Sequence, residues 1–199
     1  MHMTPRYNHQ HPPLILISGP SGAGEDSVIE AIVARFHAVR VVTTVTRKPR
    51  PEEQEGEDYY FISIADFKKK IAQNAFIEWA EVYDDLRGAT HTELQRLFAQ
   101  SKPIVWKMDW QGVKTVQKQF PESLSIVITP PNKNVSFLTA RLKRRGADSL
   151  EEIQKRQKFS EKWMHHLHVY DFIVENKEGK LPETIKKAET IIRKKFFTT

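Results

Sequence analysis

The sequence contains no cysteine among its 199 residues. Disulfide bonds and thiolate zinc sites are therefore excluded, and with them the small secreted scaffolds that depend on such links. The N-terminus also lacks the order of basic, apolar and small residues that is typical of a secretory signal peptide. We expect a cytoplasmic location.

Long apolar runs are missing as well. The longest are the size of a strand, such as Leu14 to Ile17, whereas a membrane helix needs about 20 apolar residues. We therefore expect no membrane segment. The length suits one α/β domain with a substantial core and is short for two independent domains.

Acidic residues are fewer than basic ones. The chain has 25 acidic and 31 basic residues, which gives a formal net charge of +6. Such an excess suits either nucleic acid or small phosphorylated ligands, and charge alone does not separate the two. The aromatic residues are not interleaved with the basic ones in the way that a stacking platform for single strands requires. We therefore favour small phosphorylated molecules, and no nucleic acid, as partners.

Apolar segments of strand length alternate with segments of helical periodicity. The strand candidates are Leu14 to Ser18, Ile104 to Trp106, Leu124 to Ile128 and Phe172 to Val174. Capping-box spacings at Ser63/Asp66, Thr90/Glu93 and Ser149/Glu152 predict helix starts. The alternation predicts an α/β fold with a parallel sheet flanked by helices.

A glycine loop separates the first strand from the first helix. Such a loop directs backbone N–H groups and the positive end of a helix dipole at an anion, typically a phosphate. The P-loop pattern is Gly, four residues, Gly, Lys, then Ser or Thr. Here the glycine spacing is kept, but the lysine position is Glu25 and the hydroxyl position is Asp26. The candidate phosphate-binding residues are Gly19, Ser21, Gly22, Ala23, Gly24, Glu25, Asp26 and Ser27.

The same loop has a plainer interpretation. It can be a tight turn that only connects strand to helix, with Glu25 and Asp26 as ordinary acids that complement the helix dipole. Two carboxylates beside a triphosphate would also repel it unless a metal or another cation intervenes. A kinase hypothesis therefore has to supply that cation.

A series of motifs in one order resembles the guanylate kinase family. The motifs are Thr43 to Arg50 (TTVTRKPR), Gly56 to Phe61 (GEDYYF), Phe76 to Val82 (FIEWAEV), Asp109 to Gly112 (DWQG), Pro130-Pro131, Arg141 to Gly146 (RLKRRG), Arg156 and Tyr170-Asp171. The resemblance extends from Leu14 to about Ile192. It implies a P-loop NTPase-type parallel sheet flanked by helices, with an inserted GMP-binding subdomain and a helical lid.

The resemblance also implies a division of the chain. We predict a disordered leader at 1–13 and a guanylate kinase-like domain at 14–199. Within that domain the core comprises 14–40, 100–135 and 167–197, the monophosphate-binding subdomain is 41–99, and the lid is 136–166.

The acceptor site follows from matching positions. Arg47 and Arg50 lie three residues apart, and with the Tyr59 hydroxyl they can grip a monophosphate; the alternative is a solvated basic loop. Glu78 and Asp109 match the carboxylates that read the N1–H and N2–H₂ donors of guanine. Thr43 matches the hydroxyl that addresses O6. For Glu78 alone, an exposed acid is the alternative.

In the lid, the resemblance implies that Arg141, Arg145 and Arg156 neutralise the transferring phosphoryl group. The alternative is a solvated basic helix.

Two positions of the acceptor site depart from the family pattern, which usually has tyrosine and serine where this chain has Arg87 and Ala89. Arg87 can replace a tyrosine–phosphate hydrogen bond with a charged one. Ala89 cannot replace a hydroxyl that helps to read the base, so guanine selectivity is expected to be looser.

Lys107 is the other departure, since the family generally has an acid there. Lys107 and Asp109 are two apart on a strand and should share a face that points into the crevice beyond the strand. We hypothesise that the Lys107 ammonium occupies the space of the missing P-loop lysine, while Glu25 or Asp26 supplies a carboxylate for Mg²⁺. The competing hypothesis is a local Lys107–Glu25 salt bridge in a dead site.

The motifs favour an enzyme that transfers the γ-phosphoryl group of ATP to GMP or dGMP with Mg²⁺, as a monomer or homodimer. A second hypothesis is a catalytically impaired module that binds GMP or a phosphorylated partner. A third is a ribose bisphosphate kinase-like enzyme, because Gly24 to Ser27 resembles the loop ending of such kinases. Nucleic-acid binding remains the least favoured.

Overall fold

The computed structural model describes residues 11–146 and 148–197. Its strands are β1 (Leu14–Ser18), β2 (Val39–Arg40), β3 (Thr43–Val45), β4 (Tyr59–Phe61), β5 (Phe76–Val82), β6 (Asp85–Thr90), β7 (Ile104–Lys107), β8 (Leu124–Thr129) and β9 (Phe172–Glu175). The α-helices are α1 (Glu25–Phe36), α2 (Ile64–Ala72), α3 (His91–Phe98), α4 (Trp110–Gln119), α5 (Val135–Arg145), α6 (Leu150–His165) and α7 (Leu181–Phe196). Within these ranges, no helix combines the length and apolar character that a membrane crossing demands.

The central sheet has the strand order β2-β7-β1-β8-β9, and all its neighbours are parallel. Successive side chains of a strand point to opposite faces. Leu14 and Leu16 of β1 accordingly join one apolar cluster with Trp106, whereas Ile15 and Ile17 join a second cluster on the other face. Helices cover both faces, as all-parallel sheets require, and the predicted fold class is confirmed.

A smaller second sheet has the order β4-β3-β6-β5. Strands β3 and β4 are parallel, and β6 is antiparallel to both β3 and β5. All four strands come from the segment 41–99, for which an inserted subdomain was predicted.

The three predicted helix caps are confirmed. Ser63 and Thr90 accept hydrogen bonds from the N–H groups of Asp66 and Glu93. Ser149 forms a full capping box with Glu152. These caps satisfy backbone donors that the first helical turn leaves without a partner.

The predicted leader, 1–13, lies partly outside the described residues, which begin at residue 11. The three residues before β1 are packed rather than free. Pro12 and Pro13 are buried, and the His11 ring stacks on Phe98 at 5.2 Å between centroids. The ordered fold therefore begins ahead of Leu14.

The register of β1 and β7 positions the candidate site. Ile17 is paired with Lys107, so the carboxyl ends of both strands lie at the same edge of the sheet. The glycine loop follows β1 at this edge, and Asp109 follows β7. Ligands of open α/β sheets bind in the crevice outside the carboxyl ends of the strands.

Candidate active site

A cavity of about 690 Å³ lies at this edge, between the central sheet, the second sheet and the α5–α6 helix pair. The predicted site residues that line it are Gly19, Ser21, Gly22, Gly24, Glu25, Asp26, Ser27, Thr43, Arg47, Arg50, Tyr59, Glu78, Arg87, Lys107, Asp109, Arg141, Arg145 and Arg156. Ala23 is the predicted residue that does not line the cavity, because its side chain is buried beneath the loop. Residues far apart in sequence thus meet at one cleft.

The glycine loop is held by the backbone and by one asparagine. Gly22 and Gly24 have φ angles of 87° and 91°, in the left-handed region that glycine adopts without strain. Asn176 donates to the carbonyl of Ala23 at 2.7 Å. A Cβ atom on Gly24 would lie 2.5 Å from Asn176 Nδ2, so only glycine fits there. The loop opens α1, whose N-terminus carries the positive end of the helix dipole.

Lys107 lies over both acids of the loop. Its Nζ atom donates to the two carboxylate oxygens of Asp26 at 2.7 and 2.8 Å, and lies 3.4 Å from Glu25 Oε1. Burial alone would raise the pKa of Asp26, but Lys107, together with Arg40 and Arg50, outweighs burial and lowers it. For Glu25, burial dominates and raises the pKa despite the same lysine. The salt bridge considered from the sequence is therefore present, with Asp26 as the nearer partner.

Arg47 and Arg50 are organised by Glu53, which the sequence analysis did not single out. Arg47 donates to both carboxylate oxygens of Glu53, at 2.6 Å for one of them, and Arg50 donates its backbone N–H at 2.9 Å. The Arg47 guanidinium also lies 4.9 Å from the centre of the Tyr59 ring. The predicted arginine–tyrosine set is thus assembled at the cavity wall.

Arg87 stands beside this set and pairs in register with Val45 across the second sheet. Its Nε atom is buried and donates to no acceptor within the described residues. Burial lowers the pKa of this guanidinium, and the Asp85 carboxylate opposes that shift without forming a salt bridge. A half-buried guanidinium with only this compensation would gain from pairing with an anion.

The two carboxylates predicted to read the base differ in their surroundings. Glu78 is buried, and desolvation together with the nearby Asp109 raises the pKa of Glu78 to about 8. Asp109 caps α4, because Oδ1 accepts the N–H groups of Gln111 and Gly112 at 3.0 and 3.1 Å. Gln111 also donates its side-chain amide to Asp109 Oδ2 at 2.9 Å. Glu78 is therefore the carboxylate with more free acceptor capacity.

The arginines of the helix pair reach the glycine loop. Arg141 donates to the Gly22 carbonyl at 3.2 Å, and Arg156 donates to the Ser21 hydroxyl at 2.9 Å. Asp148 holds Arg145 at 2.6 Å and Arg156 at 3.1 Å. This arrangement aims fixed positive charge at the space above the loop.

The guanylate kinase family model matches residues 11–195. The chain belongs to the guanylate kinase family. The chain is 37% identical over 180 residues to a guanylate kinase of Rickettsia bellii, which covers 90% of this chain and 92% of the relative. It is 38% identical over 165 residues to one of Shewanella oneidensis, which covers 82% and 79% of the two chains.

The fold of this guanylate kinase family member agrees with a solved structure. The crystal structure of guanylate kinase from Anaplasma phagocytophilum superposes with a TM-score of 0.71 at 25% identity, covering 96% of this chain and 89% of that one. The family resemblance predicted from the motifs is thereby confirmed, and a phosphotransferase of the kinase class is the activity of this family.

Among the residues that organise the cleft, Asn176, Glu53, Asp148 and Tyr83 escaped the sequence analysis. Glu53 and Asp148 each hold two arginines, and Tyr83 lines the cavity beside Ser21. The signal for Glu53 and Asp148 was their nearness in sequence to predicted arginines. Tyr83 contacts Ser21 across 62 positions of sequence, and no local pattern announces such a contact.

Proposed function

We propose that the chain transfers the γ-phosphoryl group of ATP to GMP, giving ADP and GDP. One observation carries the proposal: the glycine loop, the arginines of the helix pair and the arginine–carboxylate set of the second sheet all face one cavity. A phosphoryl transfer needs this arrangement, since its catalysis consists mostly of positioning and charge stabilisation. We expect a cytoplasmic enzyme that acts on small nucleotides, as a monomer or homodimer.

The acceptor half of the site would hold GMP at both ends. Glu78 would accept from the N1–H and N2–H₂ groups of guanine, helped by Asp109, and Thr43 would address O6. Arg47, Arg50, Tyr59 and Arg87 would bind the monophosphate. The unsatisfied Nε atom of Arg87 supports this role because a bound phosphate would supply an acceptor for it.

The donor half would hold the ATP phosphates. The backbone N–H groups of Ser21, Gly22 and Gly24 and the N-terminus of α1 would bind them, with Asp26 and Ser27 at the mouth of the loop. Lys107 would supply the charge that a P-loop lysine normally provides, exchanging part of its contact with Asp26 for a phosphate oxygen. Arg141, Arg145 and Arg156 would stabilise the charge on the transferring group.

The donor half also fits Mg²⁺. Carboxylate oxygens are suitable ligands for this ion, and Mg²⁺ is usually held by one or two carboxylates together with substrate phosphates. Among the described residues no group of three or more His, Cys, Asp or Glu side chains forms a metal cage, and Asp26 and Glu25 are the carboxylates at the loop. Bound there, Mg²⁺ would neutralise phosphate charge.

A non-catalytic binding module is the second candidate. The ion pairs of Lys107 with Asp26 and Glu25 favour it, because they neutralise the lysine within the protein. A sugar bisphosphate kinase is disfavoured, since the buried Glu78 beside Asp109 would then have no base to contact.

The deciding experiment is a coupled ADP-release assay with ATP, Mg²⁺ and a panel of nucleoside monophosphates and ribose phosphates. We expect turnover with GMP and a loss of about 10²-fold or more in kcat for Lys107→Ala, which removes one charge from the transition state. Lys102→Ala, an exposed lysine outside the cavity, is the matched control. Measurable GMP binding without turnover of any acceptor would establish the binding module instead. A Lys107→Ala enzyme as fast as the parent would refute the role of Lys107.

A further inference from the structure

Tyr83 lies at the tip of a tight hairpin between β5 and β6. The pairing of Val82 with Asp85 leaves a loop of two residues, Tyr83 and Asp84. Their φ angles are 56° and 71°, so both are in the left-handed region. This turn type favours Asn and Gly, because other side chains are strained there. A bulky tyrosine at the first position therefore indicates a use for its side chain.

The Tyr83 side chain reaches from the second sheet to both other parts of the site. Its hydroxyl lies 3.1 Å from the hydroxyl of Ser21 in the glycine loop. The guanidinium of Arg156, on α6, lies 5.1 Å from the centre of the Tyr83 ring. Phe159, also on α6, packs on the same ring at 4.8 Å between centroids.

These contacts form one network. Ser21 is the shared partner, because it meets the Tyr83 hydroxyl and also accepts a hydrogen bond from Arg156 at 2.9 Å. Asp148 holds Arg156 from the other side at 3.1 Å. Tyr83 thus links the second sheet, the glycine loop and the α5–α6 helix pair. Under the proposed function, these parts would hold the acceptor, the donor phosphates and the charge-stabilising arginines, respectively.

We propose that Tyr83 is a positioning residue, whose hydroxyl fixes Ser21 and Arg156 when the second sheet and the α5–α6 helix pair meet at the cleft. The proposal rests on the proposed kinase function for its kinetic consequence. Tyr83 need not touch either substrate in this role. Its effect is to set where the Arg156 guanidinium points when the phosphoryl group is transferred.

The hydroxyl alone is tested by Tyr83→Phe, which keeps the ring on Phe159 and Arg156. We expect kcat to fall about tenfold, in line with the loss of one hydrogen bond that orients a charged group, while KM for GMP changes by less than about twofold. In a Tyr83→Phe/Ser21→Ala double variant the two losses should not add, because both changes break one network.

Two controls separate the hydroxyl from the hairpin itself. Tyr60→Phe removes a hydroxyl on β4 of the same sheet. This hydroxyl donates to Glu93 at 3.4 Å and does not line the cavity, so the variant is expected to keep the parental kcat. Asp84→Gly relieves the strained second loop position and removes the pair with Lys155 at 3.1 Å. It should also leave kcat within about twofold of the parent.

A distance measurement tests the network without any turnover. Since the sequence has no cysteine, spin labels can be placed at Lys69→Cys on α2 and Lys158→Cys on α6, both exposed. Double electron–electron resonance measures the distance between the two labels. Its distribution should be broader and centred at a longer distance in Tyr83→Phe than in the parent and in Tyr60→Phe.

The outcomes separate the two proposals. A parent protein that phosphorylates no acceptor would overturn the proposed function, while the distance measurement would still decide the role of Tyr83. A Tyr83→Phe variant with parental kcat and parental distances would overturn the positioning role. A raised KM with unchanged kcat and unchanged distances would overturn it too, because it would mean direct contact with the acceptor.

Discussion

The two halves of the cleft balance charge in opposite ways. In the donor half, Lys107 is already paired with Asp26 and Glu25, so the charges near the glycine loop largely cancel within the protein. In the acceptor half, Arg87 is half-buried, its Nε atom has no hydrogen-bond partner within the described residues, and Asp85 acts on it without forming a salt bridge. Under the proposed function, the first half would exchange an internal contact to bind phosphate, whereas the second would gain a contact that the protein alone does not supply. We therefore expect substitutions in the donor half to affect turnover most.

The largest effect is expected from exchanging the two charges of the donor half. Lys107→Glu and Glu25→Lys should each lower kcat about 10²-fold or more, because each leaves like charges together beside the ATP phosphates. The double variant places one lysine at the loop and one carboxylate opposite it. Its kcat should recover to within about tenfold of the parental kcat. Steady-state ADP release with GMP measures all three.

The proposed role of Lys107 as a substitute for the P-loop lysine fails if the single Glu25→Lys variant is as active as the parent. In that case a loop lysine and Lys107 would be tolerated together, and Lys107 would not be a relocated substitute. A double variant no better than the poorer single one would count equally against relocation.

A smaller effect, on KM for GMP rather than on kcat, is expected in the acceptor half. Arg87→Met should raise KM for GMP about tenfold, since a charged hydrogen bond to the phosphate is lost. The same variant should melt at a temperature equal to or a few degrees above the parent, because a half-buried charge without a salt bridge to Asp85 is replaced by an apolar side chain. Arg96→Met, which removes an arginine paired with Glu93 in α3, is the control and should leave KM unchanged. An Arg87→Met protein that melts well below the parent would show that Arg87 has a structural counter-charge.

The remaining expected effect is a pH dependence. The pKa of Glu78 is raised to about 8 by burial and by Asp109. Only the ionised carboxylate accepts both guanine donors, so the protonated form present at lower pH binds GMP poorly. We expect kcat/KM for GMP to rise by at most about tenfold per pH unit. The rise should continue up to about pH 8 and then level off. A flat profile between about pH 6.5 and 8.5 would contradict this assignment. Glu78→Gln should abolish the rise.

Much of the fold was predictable because its signals are local. The run at Leu14–Ser18 is followed at once by the glycine loop, and the Ser149 capping box lies within four residues. The approach of Lys107 to the loop acids was also predicted, since strand geometry limits where a side chain at the end of β7 can point. The nearer partner proved to be Asp26, because the exposed turn of α1 brings its carboxylate to the ammonium.

What sequence reasoning missed depends on contacts between distant segments. Tyr83 meets Ser21 and Arg156 only because the second sheet, the glycine loop and the α5–α6 helix pair converge on one cleft. The unsatisfied Nε atom of Arg87 is likewise a property of the folded surroundings within the described residues. The roles assigned to the acceptor residues remain predictions, supported by their common cavity.

The Asp109 carboxylate both lines the cavity and caps a helix. It lies two residues beyond the end of β7, where it lines the cavity, and it also holds the first turn of α4 by accepting two backbone N–H groups. Loss of such a cap costs about 1 kcal/mol of folding free energy. If Asp109 reads the base as proposed, a substitution there that changes acceptor preference would also remove the cap of α4, so substrate choice and the stability of the fold would change together.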